Sequence, residues 1–254
     1  MRGYTAFLQK EGTEHLRTYR LFILLTVFFL FGMMSPLAAK LLPQILASAM
    51  PEGISITLPD PSAIDSWSQF FKNISQMGLI VTVILFSGVL GTELSKGTLI
   101  NMLTKGLSRS AVMLSKFTGL ALVWTLSYAL AFLVCWGYTV YLFPGEMLPH
   151  LGFSVFCLWL FGIFLLASLM FAASLTKNSY GTLLIVCLML GALYLLNIFP
   201  DLQAYNPVAL SSQNVALLQN AVSVSDVTDA VIVTLCSSAA LIAASVLIFR
   251  KRLI

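Results

Sequence analysis

"GTELSKGTLINMLTKGLSRSAVMLSK", residues 91–116, lies between two long apolar runs and carries five charged side chains: Glu93, Lys96, Lys105, Arg109 and Lys116. The chain around it has 254 residues, is 59% hydrophobic and only 9% charged. An ordinary soluble domain is about a quarter charged. Apolar runs of roughly 20 residues, each enough for one helical crossing of a bilayer, recur along the whole length. The reading is an all-α polytopic membrane protein, with charge gathered where the chain leaves the apolar phase.

Working outward from this segment gives six spans, at about 21–42, 76–92, 117–143, 150–174, 181–199 and 227–249. Ser35-Pro36 raises the expectation of a break in the first, because proline cannot donate to the helix ladder. The third helix can begin earlier, near Ser110. The organisation is then residues 1–20 as an N-terminal segment, 21–249 as a single transmembrane domain and 250–254 as a basic tail. The first 20 residues carry Arg2, Lys10, Glu11, Glu14, His15, Arg17 and Arg20. That is too polar for a cleavable leader, so the first span reads as its own insertion signal.

The charges set an orientation. With the N-terminus inside, 12 of the 14 basic residues fall on inner segments and only Lys40 and Lys72 fall outside. Seven of the ten acids are outer: Glu52, Asp60, Asp65, Glu146, Asp201, Asp226 and Asp229. Basic bias toward the cytoplasm is the topology rule, so both termini are expected in the cytoplasm of a cell membrane. The net charge of +4 follows from topology and calls for no nucleic-acid partner.

The outer segments have structure of their own. In "PDPSAIDSWSQFFKNIS", residues 59–75, Ile64, Trp67, Phe70, Phe71 and Ile74 recur at helical spacing after a possible Ser62 N-cap. This predicts a short helix at the outer interface, and "NPVALSSQNVALLQNA", residues 206–221, predicts another. At the other end, Phe7, Leu8, Glu11, Glu14 and Leu16, with Arg17 behind them, fit an amphipathic elbow helix on the inner surface; simple inside-positive flanking accounts for the same residues.

Several chemistries have no sequence support. There is no G-x-x-x-x-G-K-[ST] loop, no H-E-x-x-H and no G-x-S-x-G. His15 and His150 fall on opposite sides of the membrane and cannot share a metal. Cys135, Cys157, Cys187 and Cys236 lie in four different apolar runs, as small apolar residues do. Only Glu93 and Lys40 come near a span, and a charge at mid-helix costs about 2.5–3.5 kcal/mol, so both are placed at span ends. The chain reads as neither an enzyme nor a carrier with its own ion relay.

Within the opening stretch, Leu99, Met102, Leu103 and Leu107 form a helical stripe. Thr98 can cap its start, Gly106 its end, and Ser108 or Ser110 the next helix. A helix this short needs a surface to pack on, either the membrane or a protein. Glu93-x-x-x-Gly97-Thr98, then Leu107-Ser108-Arg109 and Lys116, resembles the E-x-x-x-G-T … S-R … K signature of type-2 ATP-binding-cassette exporter permeases. The six-span layout, the N-terminal segment with Glu11 and Glu14, the Asn206-Pro207 pair and the basic C-terminus are similar to the small bacterial permeases of that family.

The resemblance implies a permease subunit that works as a dimer, with itself or with a second permease chain, and with two separate ATPase subunits. ATP and magnesium would be bound by those partners, not by this chain. The loop 93–116 would be the coupling segment, with Glu93, Gly97, Thr98, Leu99, Met102, Leu103 and Arg109 engaging the ATPase. Glu11, Glu14 and Arg17 would belong to the elbow. Thr82, Ser87, Tyr194 and Asn197, polar residues in or at the end of the second and fifth spans, are candidates to line a pathway; helix–helix hydrogen bonding explains them equally. The alternative is a stand-alone membrane protein, a passive lipid or ion conduit or an assembly factor, without ATP coupling.

Overall fold

The computed structural model describes residues 2–49, 60–91, 93, 108–146, 148–176 and 178–251. It is all-helical, with no strand among the described residues. An N-terminal helix α1 (Arg2–Arg17) leads into α2 (Arg20–Ala49). Helix α3 (Ala63–Asn73) runs through a π-helical turn (Ile74–Gly78) into α4 (Leu79–Phe86). The long α5 (Arg109–Leu142), α6 (Leu151–Leu175) and α7 (Ser179–Leu196) follow. Three short helices, α8 (Pro200–Gln203), α9 (Ala209–Ser212) and α10 (Asn214–Leu218), precede α11 (Val224–Lys251). Among the described residues, six helices are long and apolar enough to cross a membrane: Arg20–Leu42, Ala63–Phe86, Arg109–Leu142, Leu151–Leu175, Ser179–Leu196 and Val224–Lys251.

The second of these corrects the sequence reading. The aromatic stripe of residues 62–74 runs directly into the second span: α3, the π-helical turn and α4 form one helical run, Ala63–Phe86, which starts earlier than the sequence suggests. Its stripe faces protein, not lipid: Trp67, Phe70, Phe71 and Ile74 are all buried. Ser62 does stand at the N-cap. Asp65 Oδ2 accepts hydrogen bonds from Ser62 N–H and Oγ, both at 2.9 Å, and Glu146 Oε2 accepts from the Ala63 N–H at 2.6 Å. A carboxylate at a helix N-terminus satisfies an orphan donor and faces the positive end of the dipole. Asn73 Nδ2 donates to Ser35 Oγ at 3.1 Å and Ser66 pairs with Thr139 at 2.7 Å, fastening this half of the span to α2 and α5.

The expected break at Ser35-Pro36 is absent: α2 continues through it. Ser35 Oγ donates to Phe31 O at 2.6 Å, which holds the turn just before the proline. The third span begins at Arg109, capped by Ser108 Oγ accepting from Ala111 N–H at 3.2 Å. Lys116 therefore lies inside a helix rather than in a loop.

Helix α6 is the central pillar, with 72% of its most apolar stretch buried against 11% for α7. It packs on α11, α7, α5 and the short α9 and α10. Trp124 lies across α6 at Gly162, where an added Cβ would stand 2.1 Å from the ring. Its Nε1 donates to Trp159 O at 3.1 Å, and Tyr128 Oη donates to Val155 O at 2.9 Å. Helix α2 crosses α5 at Gly32, where a Cβ would meet Ala131 O at 2.6 Å. Only small residues allow backbones this close. Helices α9 and α10 fulfil the second outer expectation in part: they are short, but Val208, Leu210, Leu217 and Leu218 are buried in protein.

Candidate functional site

The functional candidates meet at the end of the bundle where α1, the chain after Phe86, the start of α5 and the end of α11 come together. The expected N-terminal helix is present as α1, and its buried face is Phe7, Glu11 and His15, at i, i+4 and i+8. Phe7 and Glu11 of the expected apolar-and-charged set lie on that face, while Leu16 is exposed. The face rests on α5, with Tyr4 Oη and Thr118 Oγ1 2.8 Å apart and Gly119 lying under Glu11 and His15.

Between these elements the charges close into a ring. Lys116 Nζ, fully buried, lies 2.9 Å from Glu11 Oε1 and 2.8 Å from Glu93 Oε2. Lys10 Nζ pairs with the other Glu93 oxygen, Oε1, and lies 3.1 Å from Glu11 Oε1. Four residues of alternating sign thus join three separate parts of the chain. Glu14, one turn along α1, holds Lys10 from outside the ring at 2.6 Å. The Phe7 ring sits under both ammonium groups, 5.0 Å from Lys10 and 5.6 Å from Lys116, which adds a cation–π contact to each.

The electrostatics follow from this geometry. Burial alone would lower the Lys10 ammonium's pKa, but the hydrogen bonds to Glu14 and Glu93 outweigh it and hold it above the ordinary lysine value. Burial acts to raise Glu14, and Lys10 overcomes that too, leaving the carboxyl below its usual range. Burial, aided by the positive charges of Arg20 and Lys116, pushes His15 down to about 4. The imidazole is neutral near pH 7 and edges against Phe86, 5.7 Å between centroids. Ligand oxygens of Glu11, Glu14 and Glu93 come within 4.8 Å of one another. Two lysine ammoniums already stand among them, so the positive charge a metal would bring is supplied by the protein.

Arg109 makes a second tie at this end. Its Nη1 donates to Arg250 O at 3.0 Å and to Phe249 O at 3.4 Å, a cation set on the negative end of the α11 dipole.

Of the residues singled out in the sequence, Glu11, Glu14 and Glu93 meet in and beside the ring, and Arg109, at the start of α5, bonds the end of α11. Gly97, Thr98, Leu99, Met102 and Leu103 lie outside the described residues. Arg17 is exposed at the end of α1 and takes no part in the ring. Thr82 and Ser87 are buried and donate to carbonyls of their own helical turns, Gly78 O at 2.7 Å and Ile84 O at 2.9 Å. Tyr194 is exposed. Asn197 lies just past α7, its buried Oδ1 accepting no hydrogen bond among the described residues. These four do not share one environment.

Glu93 lies beyond the end of the second span, and it is buried in protein there together with Glu11 and Lys116. Lys116 read as a marker of orientation. Its helical register carried the missing signal: it falls at i+4 from Val112 and i−4 from Leu120, both fully buried.

Asn206 is buried just before the short helix α9. Its Nδ2 donates to Leu193 O at 2.7 Å and its Oδ1 accepts from Val208 N–H at 3.0 Å, tying α9 back to α7.

No family model matches this chain. It is similar to the uncharacterized transmembrane protein YxlG of Bacillus subtilis (strain 168), 22% identical over 219 residues and aligned over 84% of each chain. With six helices long and apolar enough to cross a bilayer, the chain is a multi-span membrane protein and a distant homologue of YxlG.

Proposed function

We propose that this chain is the permease subunit of an ATP-driven exporter of the type-2 ATP-binding-cassette class. It pairs with a second permease chain, and two separate ATPase subunits bind the loop between the second and third spans. The observation that carries the reading is how that loop is bracketed. Glu93, before it, is ion-paired to both α1 and α5; Arg109, after it, holds the end of α11. A push on residues 94–107 therefore has direct routes into the elbow, the third span and the last span. The basic bias of this end supports a cytoplasmic orientation, the side on which an ATPase has its nucleotide.

The test is co-purification. Extracted in a mild detergent, the chain should bring down an ATPase, and Leu99→Asp with Leu103→Asp should release it and stop ATP-dependent export from reconstituted vesicles. If the ATPase stays bound and export continues, the coupling assignment fails. Transport by the chain alone in ATP-free liposomes would favour an uncoupled conduit.

A further inference from the structure

We propose that the seam between α2 and α5, at the end of the bundle away from the ion ring, binds one anionic phospholipid, with an acyl chain laid in an apolar groove and the phosphate on Lys40. The site belongs to this chain alone and stands whether or not an ATPase takes the loop.

The groove has a volume of about 520 Å³ and is lined by Phe29 of α2 and by Leu133, Val134, Gly137, Tyr138 and Tyr141 of α5. Its origin is a missing side chain. Leu133, Gly137 and Tyr141 stack on successive turns at i, i+4 and i+8, and a Cβ on Gly137 would meet nothing within 4 Å. Gly137 is thus a notch between two large side chains, and Phe29 closes it from α2. Phe29, Leu133, Tyr138 and Tyr141 are all exposed on the protein surface, and every lining residue lies within a helix able to cross the bilayer. Apart from two phenol hydroxyls at one end, these walls offer water no partner. Hydrocarbon is what fills the notch.

A cation at the far end selects the headgroup. Lys40 follows Phe29 by three helical turns of α2, so the two share a face about 16 Å apart along the axis. That is about the depth of one leaflet, half of a hydrocarbon core about 30 Å thick. The Lys40 side chain is exposed, and its ammonium lies 5.3 Å from the centre of the Phe143 ring, just past the end of α5. It takes part in none of the ion pairs among the described residues. Glu146, close to Phe143 in the chain, is engaged with the Ala63 N–H. Tyr138 and Tyr141 stand in the last turns of α5, and tyrosines mark the headgroup level of a bilayer. An uncharged lipid would fill the groove and leave the ammonium unmatched. A second protein chain laid on the seam would cover that ammonium with no carboxylate beside it among the described residues, a costly burial. A phosphate supplies the missing charge.

Native mass spectrometry of the full chain tests the site, with phosphatidylglycerol or phosphatidylcholine of the same acyl chains titrated into mild detergent. The native chain should retain one phosphatidylglycerol and prefer it over phosphatidylcholine by about fivefold. Gly137→Leu enters open space and raises helix propensity, so the fold should hold. By filling the notch it should weaken both lipids by about tenfold. Lys40→Gln should abolish the preference while changing phosphatidylcholine binding by less than about twofold. Equal binding of the two lipids by the native chain would overturn the proposal, as would binding that Gly137→Leu leaves unmoved. A native dimer that Gly137→Leu splits would assign the groove to a second copy of the chain and overturn it too. Should Gly137→Leu fold poorly, Lys40→Gln decides alone: a preference that it does not move refutes the phosphate contact.

Discussion

Lys116 Nζ lies 2.8 Å from Glu93 Oε2, at a point where the lysine side chain has no exposure to solvent. Buried pairs contribute little net stability, because desolvation offsets the attraction, but removing one partner costs about 3–5 kcal/mol. Lys116→Met should therefore be strongly destabilising: it leaves Glu11 buried with only the shared Lys10 opposite. Adding Glu11→Gln and Glu93→Gln to Lys116→Met should restore most of the loss, since the triple variant strands no charge. Unfolding in mixed micelles compares the three. A single variant no weaker than a surface substitution would mean that the ring is more open to water than its geometry states.

His15 makes a pH dependence that can be signed. Its folded pKa, about 4, lies below the unfolded value near 6.5. Between those values the unfolded chain binds the proton and the folded chain does not, so stability falls as pH drops from about 6.5 toward 4 and is unaffected by this group above that range. The loss amounts to about 2 kcal/mol near pH 5. Neither ring nitrogen has a hydrogen-bond partner among the described residues, so His15→Phe breaks no such bond. It should hold stability level at pH 7 and remove most of the decline between pH 7 and 5. Melting temperatures of both chains at several pH values decide it; equal declines would acquit His15.

How much of this could be read from the sequence depends on the kind of signal. The six crossings follow from apolar length alone, a property that survives any packing. The orientation of the Trp67, Phe70, Phe71 and Ile74 stripe does not: a helical stripe has the same spacing whether it faces lipid or protein, and here it faces α2 and α5. Glu11, Glu14 and Glu93 stood out by resemblance to a family pattern, yet nothing local to them shows that they meet. That meeting is a tertiary fact, fixed by α1 folding back on α5. Lys116 was hidden by the basic bias of its loop, which explained its charge and diverted attention from its helical register.

The contact of Trp124 with Gly162 makes a steric prediction at the centre of the fold. A Cβ on residue 162 would stand 2.1 Å from Trp124 Cζ2 and 2.7 Å from its Nε1. Trp124 is fully buried and cannot swing into lipid without leaving the Trp159 carbonyl that it donates to. Gly162→Ala should cost about 1–3 kcal/mol for overpacking, and about 1 kcal/mol more for the hydrogen bond. Trp124→Phe placed on the Gly162→Ala background should recover part of the loss, because the smaller ring vacates the space. A double-mutant cycle on unfolding measures the coupling; additive effects would show that the ring relaxes elsewhere.

Arg109 separates a structural role from a transmitting one. Its guanidinium caps the last carbonyls of α11 at 3.0 and 3.4 Å, at the exposed edge of the bundle, where a cation on a helix C-terminus contributes about 0.3–1 kcal/mol. Arg109→Ala should lower overall stability by no more than that and speed hydrogen exchange in the final turn of α11, residues 246–251, by several-fold. Arg109→Lys keeps the charge but has a different reach and donor geometry from the guanidinium Nη1 that meets both carbonyls, so it should protect that turn only partly. If the proposed ATPase drives the loop, Arg109→Ala should also lower transport per ATP hydrolysed, because the tie from the loop to α11 is cut and Glu93 still holds its other end. Unchanged exchange in residues 246–251 would show that α11 is anchored by its packing on α6 and α5, and that the guanidinium is incidental.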